Sequence, residues 1–366
     1  GPSRKGYLRC LQGIGSGTEY SADTPMNLDP VTLALVQNRL DHISHQMGWV
    51  MTRTARSPIF SQSHDFSCFI ADARGTLISQ ADGIPIHTGG GGFAVRAILR
   101  DFKDSIEPED VFLLNDPYTA GGNHLPDWVI ARPVFVAGKP AFWLGSRGHH
   151  ADIGGITPGS MPPGSRSVEE EGVLIDNRLI VENGHFQDLE VRNLLAFGKW
   201  PSRNIEQNVA DLKAQIAACA KGASELVRIS NDYGANVVTA YMHHVQDHAE
   251  EAVRRLILRL SDGHFRYAMD NDAVVEVRVS VDHVARTATI DFTGTSAQLP
   301  DNFNAPVSVV RAAVLAAPRC ISTPAATRRE SGSSMPASVA ASPAAATLRW
   351  ASGSNGTCCG DTRPAR

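Results

Sequence analysis

Apolar residues recur in this chain with two periods, which separate predicted helices from predicted strands. A long amphipathic helix is predicted to begin at Pro30, with Asp29 as its N-cap. Its apolar face recurs every three or four residues, at Val36, Leu40, Ile43, Met47 and Val50. Residues 204–260 show the same helical pattern. They are predicted to form a helical hairpin that is broken near Tyr233 and Gly234.

Shorter runs that are rich in β-branched and aromatic residues predict β-strands. These runs occupy residues 67–71, 76–80, 111–114, 128–136, 141–145, 274–282 and 288–292. A further helix is predicted over residues 93–102, after the glycines of residues 89–92, for which close backbone packing is favoured over anion binding. The predicted fold class is α+β, with mixed β-sheets and hairpins and a long helical hairpin.

The stretch from residue 111 to residue 155 concentrates acidic and histidine side chains between strands and glycine turns. They are Asp116, His124, Asp127, His149, His150 and Asp152. The predicted strands 128–136 and 141–145 form a hairpin that returns His149 towards His124 and Asp127. Two imidazoles and a carboxylate are typical ligands of a divalent transition metal with open coordination positions.

Consecutive residues of a strand point to opposite faces, so only one of His149 and His150 can join a given site. We assign His149 to the metal and leave His150 and Asp152 for supporting or substrate roles. The alternative is a set of solvated loop side chains. That alternative is usual for a single histidine, but acidic and histidine groups seldom crowd together without a function.

Four segments resemble the hydantoinase B/oxoprolinase family: NDPYTAGGNHLPD, SRGHHADIGG, PGSMPPGSRSVEEEG and RNIEQNVADLKAQIAA. The resemblance extends from about Pro30 to about Ala313. The family includes B subunits of ATP-dependent N-methylhydantoinases and 5-oxoprolinases, and the large subunits of acetone and acetophenone carboxylases belong to the same superfamily. In metal-bearing relatives the ligands are an H-x-x-D pair and a later histidine. The resemblance therefore implies His124, Asp127 and His149 as ligands.

This resemblance implies a hydrolase subunit that opens a hydantoin or 5-oxoproline ring. The sequence has no G-x-x-x-x-G-K-[ST] phosphate-binding motif, so ATP is expected to bind to a hydantoinase A/oxoprolinase-type partner. The metal is expected to be manganese, iron or zinc. Proton transfer is assigned to Asp116, His150 and Asp152, and substrate binding to Asp65, His87 and Arg147.

Two other functions remain open at this point. The same metal site suits an ATP-coupled carboxylase subunit, because function resides in the site and not in the fold. A non-catalytic or defunct assembly subunit is the third interpretation, and the unusual composition of the chain after residue 315 supports it.

The overall composition argues against several classes of protein. The 366 residues carry a net charge of −4, which argues against a nucleic-acid binder. No apolar run has the length of a membrane span, and no signal peptide is evident. Six scattered cysteines form no C-x-x-C pair, which favours a reducing compartment. A cytoplasmic location is therefore expected, with no membrane and no nucleic acid as partner.

The predicted organisation has five parts. They are a non-core leader (1–25), an N-terminal α+β domain with the metal site (26–200), the helical hairpin (201–260), the start of a truncated β-containing domain (261–315) and a disordered or frameshifted tail (316–366). The tail consists mainly of Ala, Ser, Thr, Pro, Gly and Arg, a composition that cannot bury enough apolar surface to fold.

Overall fold

The computed structural model describes residues 29–81, 83–87, 90–103, 105–322 and 346–349. The predicted leader lies outside these residues, and so does most of the predicted tail. Two pieces of the tail are described. A helix continues beyond residue 316 to Ser322, and Ala346–Arg349 is a strand. The frameshift interpretation and the five-part division stay predictions.

Helices provide the larger share of the regular structure. They are α1 (Pro30–Thr54), α2 (Pro58–Ser61), α3 (Gly91–Phe102), α4 (Val168–Glu171), α5 (Asp188–Ala196), α6 (Ile205–Tyr233), α7 (Ala235–Ile257) and α8 (Val307–Ser322), with a 3₁₀ turn at Pro85–His87. The N-cap of α1 is confirmed, because the Asp29 carboxylate accepts hydrogen bonds from the backbone N–H groups of Val31 and Thr32. The predicted hairpin is α6 and α7, which Gly234 separates with a φ of +88°.

The strands form two sheets. They are β1 (Phe66–Asp72), β2 (Leu77–Gln80), β3 (Val111–Leu114), β4 (Asp127–Val136), β5 (Lys139–His149), β6 (Arg178–Glu182), β7 (His185–Phe186), β8 (Gly263–Ala268), β9 (Val274–Asp282), β10 (Thr287–Asp291) and β11 (Ala346–Arg349). The first sheet has the order β2-β1-β5-β4-β3-β6-β7, and its pairs are antiparallel. The second has the order β11-β10-β9-β8, in which β11 pairs parallel with β10. The α+β fold class is confirmed.

The seven-stranded sheet is the middle layer of the core. Alternate residues of its central strands point to opposite faces. One face, with Trp128, Ile130 and Leu144, packs against α1, α6 and α7. The other face, with Val129 and Trp143, packs against α3. The sheet therefore separates two apolar clusters that meet different helices.

The second sheet is much less buried than the first. All six residues of β8 are exposed, and Phe265 and Tyr267 stack there with ring centroids 6.5 Å apart. Its contact with the helices is a small cluster of Val253, Ile257 and Ala288. No helix within the described residues has the length and apolar character needed to cross a bilayer.

Candidate functional site

The register of the β4–β5 hairpin creates the site. Asp127, the first residue of β4, pairs directly with His149, the last residue of β5. Asp127 and His149 are both odd-numbered residues of the hairpin, whose side chains face α3. Arg147, two residues before His149, faces the same side. His150 points to the opposite face, where it contacts Trp128. Strand alternation therefore puts one member of the His149–His150 pair on each side of the sheet.

Three donor atoms converge on this face. Asp127 Oδ1 lies 3.0 Å from His124 Nε2 and 3.4 Å from His149 Nδ1. The two imidazole nitrogens lie 3.1 Å from each other. His124 and His149 are partly exposed, whereas Asp127 is 2% exposed. The cluster thus combines one buried carboxylate with two imidazoles that open towards solvent.

The other oxygen of the same carboxylate has different neighbours. Asp127 Oδ2 accepts a hydrogen bond from Asn123 Nδ2 at 3.0 Å and lies 3.2 Å from His87 Nε2. His124 turns its remaining nitrogen outwards, with Nδ1 at 3.2 Å from the sulfur of Met161. Met161 belongs to the loop that follows the β4–β5 hairpin, so this loop borders the site.

Burial and hydrogen bonding shift the pKa values of the cluster in opposite directions. Burial raises the pKa of Asp127, but hydrogen bonds with His124, His149 and His87 outweigh it and hold that pKa well below its usual range. Burial lowers the pKa of His149, but the hydrogen bond to Asp127 prevails, so that this pKa is raised. Burial also lowers the pKa of Arg147, against the attraction of the Asp127 charge. The carboxylate is thereby held as an anion.

A cavity of about 380 Å³ opens over the cluster. One side of it is apolar and includes Ile84, Ile86 and Val309. The polar side consists of the cluster together with its neighbours: Asp65, His87, Asn123, His124, Asp127 and His149. A space of this size holds a small molecule with an apolar face and a polar edge.

The spacing of the three donors fits a divalent metal. Ligand bonds of about 2.1 Å separate adjacent donors by about 3.0 Å at right angles and about 3.4 Å in a tetrahedron. The observed separations of 3.0, 3.1 and 3.4 Å span that interval. Two nitrogens and one anionic oxygen also match the donor chemistry of manganese, iron and zinc.

The structure places His150, to which proton transfer was assigned, in the core and outside the cavity lining. Its ring is 0% exposed, stacks on Trp128 at 3.8 Å between centroids and meets the Phe60 ring edge-on at 5.4 Å. His150 Nε2 lies 3.1 Å from the amide oxygen of Gln215 on α6. Burial lowers the pKa of His150 to about 4, which keeps the ring neutral inside the core.

Asp116 and Asp152 are also absent from the lining of the cavity, and their proton-transfer assignments are not supported. Asp116 accepts hydrogen bonds from the backbone of Tyr118 and Thr119, as in an Asx turn. Asp152 accepts two hydrogen bonds from Arg203 and others from nearby backbone N–H groups. Both carboxylates stabilise loops.

Of the three residues assigned to substrate binding, two line the cavity and one does not. Asp65 and His87 line the cavity, but both nitrogens of His87 already face Ser67 and Asp127. Arg147 is 2% exposed and donates to Asn123 Oδ1 and to the Gly121 carbonyl, so it does not reach the cavity. The hydrogen bonds of Arg147 point into the protein and give no support to a direct role in substrate binding.

Sequence reasoning missed several cavity residues. Asn123 stands next to His124 in the N-H-x-x-D segment, and that adjacency was the available signal. Ile84, Ile86 and Val309 carried no signal, because an apolar residue in a loop or helix does not indicate which cavity it lines. The glycine run was interpreted correctly as close packing, since a Cβ at Gly90 would lie 2.5 Å from Arg147.

Comparisons with known proteins agree with these observations. The profile of the Hydantoinase B/oxoprolinase family matches residues 29–364, which extends past residue 313 into the tail. A 5-oxoprolinase of Dictyostelium discoideum is 39% identical over an alignment of 311 residues that covers 82% of this chain and 24% of that protein. This chain thus spans about a quarter of the length of that relative.

Two solved structures share the fold. The crystal structure of ATP-dependent caprolactamase from Pseudomonas jessenii superposes with a TM-score of 0.74 and 25% identity, covering 93% of this chain and 57% of that chain. Nucleotide-free acetone carboxylase has a TM-score of 0.69 and 20% identity, covering 78% and 40%, and shows the fold alone. The matched profile and the extent of sequence identity establish that the chain belongs to the hydantoinase B/oxoprolinase family.

Proposed function

We propose that this chain is the B-type component of an ATP-dependent enzyme that opens a small cyclic amide, such as a hydantoin or 5-oxoproline. The observation that carries the proposal is the convergence of three metal-type donors at the polar edge of the cavity. Membership of a family with 5-oxoprolinase and caprolactamase relatives supports the reaction class.

His124, Asp127 and His149 would hold the metal, with manganese, iron or zinc as the candidates. A divalent ion bound there supplies Lewis acidity to an oxygen of the substrate or of water. Hydrogen bonds keep Asp127 anionic despite its burial, so this ligand needs no deprotonation before an ion binds.

The remaining cavity residues suit a compact cyclic amide. Ile84, Ile86 and Val309 offer an apolar wall for the carbon atoms of a ring. The Asp65 carboxylate lines the same cavity, and a carboxylate accepts a hydrogen bond from an amide N–H. The chain would thereby place the ring carbons against the apolar wall and the amide against the polar side, which holds both the Asp65 carboxylate and the imidazole cluster.

ATP would bind to an A-type partner subunit. The sequence lacks the phosphate-binding motif, and one relative is named caprolactamase subunit beta, in an enzyme described as ATP-dependent. The buried free thiols of Cys68 and Cys219 support a reducing, cytoplasmic location for the assembly.

The carboxylase alternative rests on likeness of fold, and no residue of the cavity favours it over ring opening. The non-catalytic alternative makes a different prediction about metal content, because an assembly subunit has no need of the ion. The metal measurement below therefore separates it from the proposed function.

Metal analysis of the purified chain tests the proposal. We expect about one divalent ion per chain, and loss of that ion in His124→Ala, Asp127→Ala and His149→Ala. The matched control is His244→Ala with His248→Ala on α7, which removes two histidines at i, i+4 spacing outside the site. Equal metal content in the wild type and the site variants would refute the metal centre.

A further inference from the structure

The two oxygens of Asp127 have separate surroundings. Oδ1 faces His124 and His149, whereas Oδ2 faces His87 and Asn123. Each residue that contacts Oδ2 is itself hydrogen-bonded to a second buried residue. Oδ1 is therefore available to a metal, whereas Oδ2 is held by side chains of the protein.

The residue hydrogen-bonded to His87 is Ser67. Its hydroxyl lies 2.9 Å from His87 Nδ1, and His87 Nε2 lies 3.2 Å from Asp127 Oδ2. An ionised carboxylate only accepts, so Nε2 of a neutral His87 carries the proton and Nδ1 accepts from Ser67. The carboxylate therefore fixes the tautomer, and the Ser67 hydroxyl supplies the matching donor to Nδ1.

The Ser67–His87–Asp127 series has the residue types of a hydrolase triad, but the serine is not available as a nucleophile. Ser67 is 2% exposed, and a Cβ placed on Gly83 would lie 2.2 Å from its hydroxyl oxygen. The backbone of Gly83 thus covers the hydroxyl. The burial of Ser67 favours a structural role for this series over a role in acyl transfer.

The residue hydrogen-bonded to Asn123 is Arg147. It donates to Asn123 Oδ1 at 3.1 Å and to the Gly121 carbonyl at 2.7 Å. A guanidinium has no acceptor, so the oxygen of the Asn123 amide must face it, and the NH₂ group must face Asp127 Oδ2. The buried Arg147 therefore fixes which end of the amide meets the carboxylate.

We propose that His87 and Asn123 are positioning residues that keep Asp127 bound to the metal through Oδ1 alone, with Ser67 and Arg147 holding them in place. The proposal rests on the proposed metal centre. A carboxylate that is free to turn can bind through both oxygens and fill a position that the substrate needs. The two donors to Oδ2 oppose that rotation and leave the position open.

Two variants and one control test this role in the 366-residue chain. Asn123→Ala removes one donor to Oδ2, and Ser67→Ala removes the hydroxyl that donates to His87 Nδ1. Ser79→Ala is the matched control: Ser79 is 1% exposed and donates to Asp41 at 2.6 Å, with no contact to the cluster. The wild type and these three variants are loaded with Co²⁺ and titrated against a competing chelator.

We expect Co²⁺ affinity to fall about 10- to 100-fold in Asn123→Ala and Ser67→Ala, and to stay at the wild-type value in Ser79→Ala. The visible absorption of bound Co²⁺ should weaken in the two site variants, because a second Asp127 oxygen raises the coordination number. Melting of the metal-free proteins separates this effect from stability, since Ser67→Ala loses the hydrogen bond to His87 and Ser79→Ala loses those to Asp41 and Ser44.

Wild-type affinity and spectrum in both site variants would overturn the positioning role while leaving the proposed function intact. Equal weakening in Ser79→Ala would also overturn it, because the loss would then follow from general destabilisation. A wild-type chain that binds no Co²⁺ would instead refute the metal centre itself, and with it the positioning role.

Discussion

His149 and His150 are neighbours in sequence, but their surroundings differ in almost every respect. His149 lies in the metal-type cluster, beside an anionic carboxylate that raises its pKa. His150 lies in an apolar core that lowers its pKa to about 4. Strand alternation was enough to predict this separation from the sequence. The core position of His150 was not predictable, because its partner Gln215 is 65 residues away.

Replacing His150 separates a structural from a catalytic role. His150→Phe retains an aromatic ring between Trp128 and Phe60 but removes the hydrogen bond to Gln215. We expect unchanged metal content and a loss of about 1–3 kcal/mol in the free energy of unfolding, because a buried amide oxygen loses a partner. Urea denaturation measures the second quantity. Loss of metal with unchanged stability would instead indicate that His150 contributes to the metal site.

At the level of elements, β5 is the strand on which the site depends, because it pairs with both β1 and β4. The sequence predicted only residues 141–145 as strand, whereas the strand runs from Lys139 to His149. Gly145 and Gly148 hid the continuation, since glycine is depleted in strands. They are present because the rings of Phe69 and Phe60 lie where their Cβ atoms would be.

Alanine substitution at two strand glycines tests this packing. A Cβ at Gly145 would lie 2.2 Å from Phe69 and 2.6 Å from the Ile130 carbonyl, whereas Gly263 on β8 has open space. We expect Gly145→Ala to cost about 1–3 kcal/mol, as overpacked core substitutions do. Gly263→Ala should be neutral or slightly stabilising. Thermal unfolding provides the comparison, and equal melting temperatures for the two variants would contradict the packing argument.

At the level of the whole molecule, sequence patterns predicted the elements better than their assembly. The helical hairpin, the N-cap of α1 and β3 and β9 all follow from local periods and turn residues. The apolar wall of the cavity does not, because Ile84 and Val309 come from distant parts of the chain. Such contacts depend on the global packing of the helices, which a local pattern does not encode.

The proposed binding of ATP to a partner subunit gives a prediction at the same scale. The purified chain alone should show neither ATP hydrolysis nor opening of a hydantoin or 5-oxoproline ring, because its sequence lacks a phosphate-binding motif. Both activities should appear when an A-type partner is added. Phosphate release and ring-opened product are measured in parallel. ATP turnover by the chain alone, at a rate that purification does not reduce, would contradict the proposed binding of ATP to a partner.

The contact between α8 and the site loop has a consequence for biosynthesis. Ser308 donates a hydrogen bond to the Gly122 carbonyl across 186 residues of sequence, and Val309 completes the cavity wall. At synthesis rates of about 5–20 residues per second, a ribosome needs roughly 10–40 s to span that interval. During this time the imidazole cluster lacks its last wall. If the cluster binds a metal as proposed, the nascent chain meets cellular ions before the cavity is enclosed.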